Sequence, residues 1–123
     1  MDKLLTFVYN KLKETGLEVY DKSPPARTPY PFLKYEVAIP YRHVNPLIAE
    51  LTVDIWDNST GSYNIEMLAN TVDFTFENLS YQDEFIQVKA KRQFRSKLEE
   101  PEQELKRRQL KYQLRTFYKE QEE

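Results

Sequence analysis

The sequence contains no cysteine, a single histidine and only two glycines among its 123 residues. Without cysteine there are no disulfides and no thiolate chemistry, and one histidine leaves too few nitrogen and sulfur ligands for the usual kind of zinc site. Phosphate-binding loops are rich in glycine, so two glycines leave little room for a nucleotide-binding turn. No run of about 18 apolar residues is present, which excludes a membrane-spanning helix of ordinary length. We therefore expect no metal, no cofactor and no membrane partner.

The chain does contain enough apolar material for one modest core. Hydrophobic residues make up 40% of the sequence and aromatic residues 14%, with nine tyrosines and seven phenylalanines. At this length we expect one domain spanning residues 1–123. The first residues carry charges throughout and lack the apolar stretch and cleavage site of a signal peptide. The expected place of synthesis is therefore the cytoplasm of the producing cell.

Charge is distributed unevenly along the chain. Residues 1–85 contain 7 Lys+Arg against 13 Asp+Glu, a balance of −6, whereas residues 86–119 contain 11 against 4, a balance of +7. A basic segment on an acidic body favours head-to-tail contact between copies of the chain, or contact with nucleic acid. A solvated charged hairpin or helix would give the same counts, so this alternative stays open.

Two segments have the spacing of amphipathic helices. In residues 2–15, aliphatic side chains recur at helical intervals and Gly16 follows as a stop signal. In residues 62–79 a second apolar stripe runs for about four turns. This stripe comprises Ile65, Leu68, Ala69, Val72, Phe76 and Leu79. Ser59 or Ser62 is expected to accept a hydrogen bond from the free N–H groups at the start of the second helix.

Strand patterns fill most of the remaining sequence. Residues 32–56 contain two stretches in which side chains alternate, separated by a proline-bounded connection, and this predicts an antiparallel hairpin. Residues 85–118 are predicted to form basic strands. Within them, residues 105–118 fit both period two and helical spacing; strand is favoured because a sheet with one hairpin needs more strands to cover the helices. The prediction is an α+β fold, an antiparallel four- to five-stranded sheet with two helices packed on it.

No arrangement typical of catalysis is present in the sequence. His43 lies alone in a loop, and we expect it to be exposed rather than catalytic. Asp54 and Asp57 point to opposite faces of a predicted strand, and Asp57 fits turn and cap chemistry better than acid–base work. Residues 89–97, KAKRQFRSK, combine five basic residues with Phe94. This stretch fits nucleic-acid contact and fits equally a basic edge strand.

The order of these parts carries a family resemblance over residues 2–118. An amphipathic helix and a proline-rich loop lead to PYPF at the start of the first long strand. WD closes the second strand, NSTGSYNIEMLANTV leads into the second helix, and RRQLKYQLRTF forms residues 107–117. This pattern resembles the tail terminator, or tail completion (tail-to-head joining), proteins of long-tailed bacteriophages and prophages.

The resemblance implies a structural subunit with no catalytic residues. Such subunits form a ring, usually a hexamer, that caps the tail tube and joins it to the head. The implied partners are other copies of the chain, the tail tube protein and a head-neck or connector protein, while DNA only passes through the lumen. The implied location is the virion tail and neck, after synthesis in the host bacterial cytoplasm. The candidate residues are therefore interface positions: Tyr41, Arg42 and His43 in the 40–46 connection, and Arg92, Arg95, Arg107 and Arg108 in the basic segment.

Other functions remain open at this point. Another phage neck protein, of the head-closure or connector type, would also form a ring. A small nucleic-acid-binding module would use the basic 89–115 segment, and salt-sensitive DNA binding by the monomer would favour it. An enzyme would require an activity that His43→Ala abolishes, and we expect none.

Overall fold

The computed structural model of the protein describes residues 2–39, 45–98 and 105–119. Two helices and six strands lie within these ranges. In chain order they are α1 (Asp2–Lys13), β1 (Glu18–Tyr20), β2 (Phe32–Ala38), β3 (Leu47–Asp57), α2 (Tyr63–Phe76), β4 (Ser80–Gln82), β5 (Ile86–Leu98) and β6 (Lys106–Tyr118).

The described strands form one mixed sheet in the order β1-β2-β3-β6-β5-β4. β1 pairs with β2 in parallel, and all other neighbours are antiparallel. The α+β class with two helices is confirmed, but the sheet has six strands instead of four or five and is not purely antiparallel. A short strand at residues 17–20 is expected from the sequence and is present as β1, whereas the edge strand β4 has three residues, too few to show a clear alternation. The parallel pair needs a chain reversal between β1 and β2, and local sequence does not encode that path.

The segment that fits both helix and strand forms β6, in the middle of the sheet. β6 pairs with β3 along the whole 11-residue length of that strand and with β5 on its other side. Its side chains Leu110, Tyr112 and Leu114 are fully buried at every second position. Period two therefore dominates here because alternate residues face a covered side of the sheet.

The two helices differ from the sequence prediction mainly at their ends. α1 ends at Lys13, and Gly16 follows with a φ of 83°, a conformation that glycine adopts without steric cost. α2 ends at Phe76 rather than residue 79. The predicted cap by a serine side chain is wrong, because Ser62 occupies the N-cap position without a side-chain hydrogen bond. Its ψ of 0° lies outside the extended region that aims a capping oxygen at the helix N–H groups.

Both helices lie on one side of the sheet. α2 packs on β3, β5 and β6, whereas α1 packs near β1 and also reaches the far edge, where the rings of Phe7 and Tyr81 lie 4.5 Å apart. The core between them includes Leu4, Val8, Leu12, Leu33, Leu51, Val53, Ile55, Ile65, Val72, Phe76, Val88, Leu110, Tyr112 and Leu114. No described helix covers the opposite side, which we call the open face.

A bulge in β5 changes which side chains face the helices. Arg92 and Phe94 lie opposite consecutive residues of β6, so Gln93 has no partner in the register. An extra residue reverses the alternation of the residues that follow it. Arg92 and Arg95 therefore both lie on the covered side, although an uninterrupted strand would place them on opposite sides.

Candidate functional site

Three of the predicted interface arginines converge beneath α2. Arg92 and Arg95 come from β5, where the bulge turns both toward the helix, and Arg108 comes from the adjacent β6. Arg95 Nη2 donates to a carboxylate oxygen of Glu66 at 3.3 Å, and Arg108 Nε donates to the other oxygen of the same carboxylate. One acidic side chain of α2 thus binds arginines from two strands.

A buried carboxylate completes this cluster. Asp73 of α2 is 6% exposed and accepts hydrogen bonds from the Arg92 guanidinium and, at 2.9 Å, from the Tyr112 hydroxyl. Burial raises the pKa of Tyr112, and its hydrogen bond to Asp73 raises the pKa further. The phenol therefore stays protonated and serves as a fixed donor to the carboxylate. This arrangement supplies charge-assisted hydrogen bonds that tie α2 to the sheet.

An open cavity of about 670 Å³ lies beside the arginine cluster and is lined by residues of β5, β6 and the start of α2, including Glu66 and Lys97. The hydrogen bond from Arg108 lowers the pKa of Glu66, and the charges of Arg108 and Arg95 lower it further. Glu66 is thus held ionised between the two guanidinium groups. The lining contains Arg92, Arg95, Lys97 and Arg108 against the single carboxylate of Glu66, and Asp73 pairs with Arg92, so the cavity wall keeps a net positive charge.

The fourth predicted arginine lies elsewhere, on the open face. Arg107 donates to Asp54 through Nε at 3.1 Å and Nη2 at 3.0 Å, and its guanidinium carbon lies 4.8 Å from the centre of the Trp56 ring. The Trp56 ring stacks on Phe32, and Phe32 stacks on Tyr30, each pair with centroids 5.3 Å apart. The PYPF and WD segments are thus brought together as one aromatic row that ends at an ion pair.

Asp54 and Asp57 are separated by the sheet, as their spacing predicts. The Asp57 carboxylate is 1% exposed and accepts hydrogen bonds at 3.2 Å from the backbone N–H and the hydroxyl of Ser59, and from Asn64 Nδ2 at 3.4 Å. The prediction of turn chemistry for Asp57 is confirmed. The two carboxylates do not form an acid–base pair.

The predicted interface residues therefore do not form a single patch. Tyr41, Arg42 and His43 lie outside the described residues. Arg92, Arg95 and Arg108 meet beneath α2, and Arg107 lies on the opposite side of the sheet. Each of these four arginines has an ion pair within the chain. Their role between subunits stays a prediction.

Sequence reasoning missed an exposed apolar stripe on α2. Tyr63, Met67 and Phe74 are 78%, 46% and 90% exposed. They recur at i, i+4 and i+11, so they lie on one side of the helix, opposite the buried stripe. The spacing was visible in the sequence, but the core-forming stripe on the same helix has the stronger pattern.

The open face carries part of the basic 89–115 segment. Lys89 of β5 lies directly opposite Arg115 of β6, and Lys91 lies two residues further along β5, on the same side of the sheet. None of these three cations has an ion pair with a residue in the described ranges. Next to them is a mainly apolar hollow of about 370 Å³ around Ile48. Its other lining residues are Ala38, Ile39, Ala49, Glu50, Gln93 and Gln113.

Residues 2–39, 45–98 and 105–119 contain no group of three or more His, Cys, Asp or Glu that could hold a metal ion. No helix among them is long and apolar enough to cross a membrane.

Comparison with known proteins gives a likeness in fold. No family model matches the sequence, and no curated protein is similar to it in sequence. A solved structure with the same fold is a chain in the virion of the native gene transfer agent (GTA) particle, with a TM-score of 0.69 and 14% sequence identity. The match covers 89% of this chain and 91% of that chain. At this identity, the likeness shows the fold alone.

Proposed function

We propose that this chain is a structural component of a phage or phage-like particle, and that it works as a tail terminator. Several copies form a ring, expected to be a hexamer, that caps the tail tube and joins the tail to the head. The partners are other copies of the chain, the tail tube protein and a head-neck or connector protein. The proposed role involves no catalysis and no cofactor, and DNA only passes through the ring.

The observation that carries the proposal is the fold match to a chain of a virion. The match covers 89% of this chain and 91% of the other, so neither chain has a large part outside the common fold. This supports a particle component built from the same kind of subunit.

The more specific role is supported by the segments that resemble tail terminators. The aromatic row formed by Tyr30, Phe32 and Trp56 brings the PYPF and WD segments into contact. These residues support one another across the β2–β3 pair, where Phe32 lies opposite Trp56. The resemblance to tail terminators thus lies in residues that contact one another in the folded chain.

The test is assembly on tail tubes. Purified protein would be measured by light scattering and negative-stain electron microscopy, with and without tubes, at low and high salt. We expect a ring in solution, or one that appears only at the ends of tubes, and we expect tubes capped by the protein to stop growing. A chain that neither caps tubes nor changes their length would refute the terminator role.

A nucleic-acid-binding module is the second candidate, favoured by three cations of the open face that have no ion pair with a described residue. Lys89, Lys91 and Arg115 lie close together, and like charges directly opposite each other in a sheet are unfavourable without an anionic partner. Binding through them would depend on salt. A plot of the logarithm of the affinity against the logarithm of the salt concentration would have a slope of about −0.9 for each phosphate contact. Tight, salt-sensitive DNA binding by a monomer that ignores tubes would replace the terminator proposal with this one.

A further inference from the structure

The exposed side of α2 has the composition of an interface core. Its exposed residues are Tyr63, Asn64, Met67, Asn70, Thr71 and Phe74, and none of them carries a charge. Exposed helix sides of soluble proteins are normally rich in charged residues. Loss of charge together with enrichment in aromatic residues and methionine is the signature of the central part of protein–protein interfaces.

The area available on this stripe is large for a monomer surface. Phenylalanine and tyrosine side chains bury about 150–250 Å² each, so Phe74 and Tyr63 together offer roughly 300–500 Å². A stable interface buries about 800 Å² on each partner. Two side chains therefore provide about half of one side of such an interface.

A surface that fits this stripe exists on the other side of the same chain. The hollow around Ile48 on the open face is lined mainly by apolar and uncharged side chains. Ile48 itself is 41% exposed, so its side chain is accessible to an apolar group of a partner. Because the stripe and the hollow lie on opposite sides of the sheet, one copy can use its stripe while its hollow receives the next copy. This is the heterologous geometry that a ring of identical chains requires.

The charges beside the two surfaces can complement each other, because Glu50, the one charged residue in the described lining of the hollow, already pairs with Lys111 at 3.2 Å. Glu77, three residues after Phe74 at the C-terminal end of α2, has a side chain that is 46% exposed and, among the described residues, pairs with Arg92 at 3.9 Å. Lys91 lies directly opposite Gln113, which lines the hollow, and has no ion pair within the described ranges. With Phe74 in the hollow of a second copy, an acidic side chain of one surface faces a basic side chain of the other.

We infer that the α2 stripe of one copy docks into the Ile48 hollow of the next copy, with Phe74 as the central side chain of the contact. The partner is a second copy of this chain, bound head to tail. This contact is the subunit interface of the proposed ring, so the inference rests on the proposed function.

The absence of cysteine allows a direct test by disulfide trapping. Two single variants, Phe74→Cys and Ile48→Cys, are mixed in equal amounts under mild oxidation, and the dimers are separated by mass. A disulfide requires the two Cα atoms to approach within about 7 Å. We expect the mixed dimer well above its random share, with little dimer from either variant alone. Mixed and same-variant dimers in random proportions would overturn the inference, as would Phe74→Cys dimers in excess, since those would indicate a symmetric helix-to-helix contact.

A matched control uses Leu5→Cys, which places the thiol on an exposed apolar position of α1. Mixed with Ile48→Cys, it should give only the random share of mixed dimer. Both substituted positions of the main pair are exposed, and thermal melting of each variant checks that it folds. An excess of mixed dimer with Leu5→Cys equal to that with Phe74→Cys would show that the trapping is not specific, and would also overturn the inference.

The outcome is separable from that of the proposed function. Capped tubes without the Phe74–Ile48 cross-link would leave the terminator role standing and would refute this contact. A specific cross-link in a protein that does not cap tubes would keep the head-to-tail contact and remove the terminator role.

Discussion

Replacing Tyr112 by phenylalanine tests whether the buried carboxylate of Asp73 depends on its hydroxyl donor. The Tyr112 side chain is fully buried and its hydroxyl donates to Asp73 at 2.9 Å. Hydrogen bonds to charged groups contribute about 1.5–3 kcal/mol, and Asp73 keeps its bond from Arg92 in the variant. We therefore expect Tyr112→Phe to lower the free energy of unfolding by about 2 kcal/mol. For a chain of this length, that corresponds to a Tm lower by roughly 6–10 °C.

The assay is urea denaturation followed by circular dichroism, with the slope of the transition unchanged. Tyr9→Phe serves as the control, because Tyr9 is 42% exposed and its variant should differ by less than about 0.5 kcal/mol. A double-mutant cycle with Asp73→Asn should give a coupling of about 1 kcal/mol. A loss of less than about 0.5 kcal/mol for Tyr112→Phe, or strict additivity in the cycle, would refute the reasoning.

Three further outcomes are expected. Leu51→Ala, at the fully buried centre of β3, should lower the free energy of unfolding by about 2–5 kcal/mol in the same urea assay. Asp57→Ala should lower it by about 1–3 kcal/mol, because Ser59 loses the acceptor for its N–H and hydroxyl; thermal melting checks this. The hydrogen bond from Arg108 lowers the pKa of Glu66 in the folded protein. The ionised Glu66 therefore stabilises the fold above the usual glutamate pKa, and this contribution is lost as the pH falls through the lowered pKa. Urea midpoints from about pH 6 to about pH 3 should therefore fall less steeply in Glu66→Gln than in the unmodified protein, and parallel curves would contradict this.

The sequence predicted the elements with a clear period and failed where the chain makes short or non-local pairings. The β2–β3 hairpin has local strands, and its alternation is visible in the letters. β4 has only three residues, and nothing in Ser80–Gln82 distinguishes a strand from a loop. The parallel direction of β1 depends on the path of the chain between residues 20 and 32. That path is set by tertiary packing rather than by local preference.

The candidate surfaces were less accessible to sequence reasoning than the fold. Counting charges identified the basic segment but not its partners, because the bulge at Gln93 decides that Arg92 and Arg95 face α2. The exposed stripe with Phe74 was present as a spacing, but an apolar helix position is ordinarily assigned to a core. The structure shows which side of α2 packs against the sheet. The stripe with Phe74 lies on the other side and is exposed, without a partner among the described residues.

The central position of β6 has a consequence for how the protein is made. β6 is the last of the six described strands in chain order, yet it is the only link between β3 and β5 in the described sheet. Before the ribosome has released this segment, the earlier strands form two separate groups with bare edges, and no continuous sheet exists. Pairings that are distant in sequence form slowly, and unpaired edges are prone to aggregation. The described sheet is therefore continuous only after β6 has been synthesised, and a chain truncated before residue 106 should not form it.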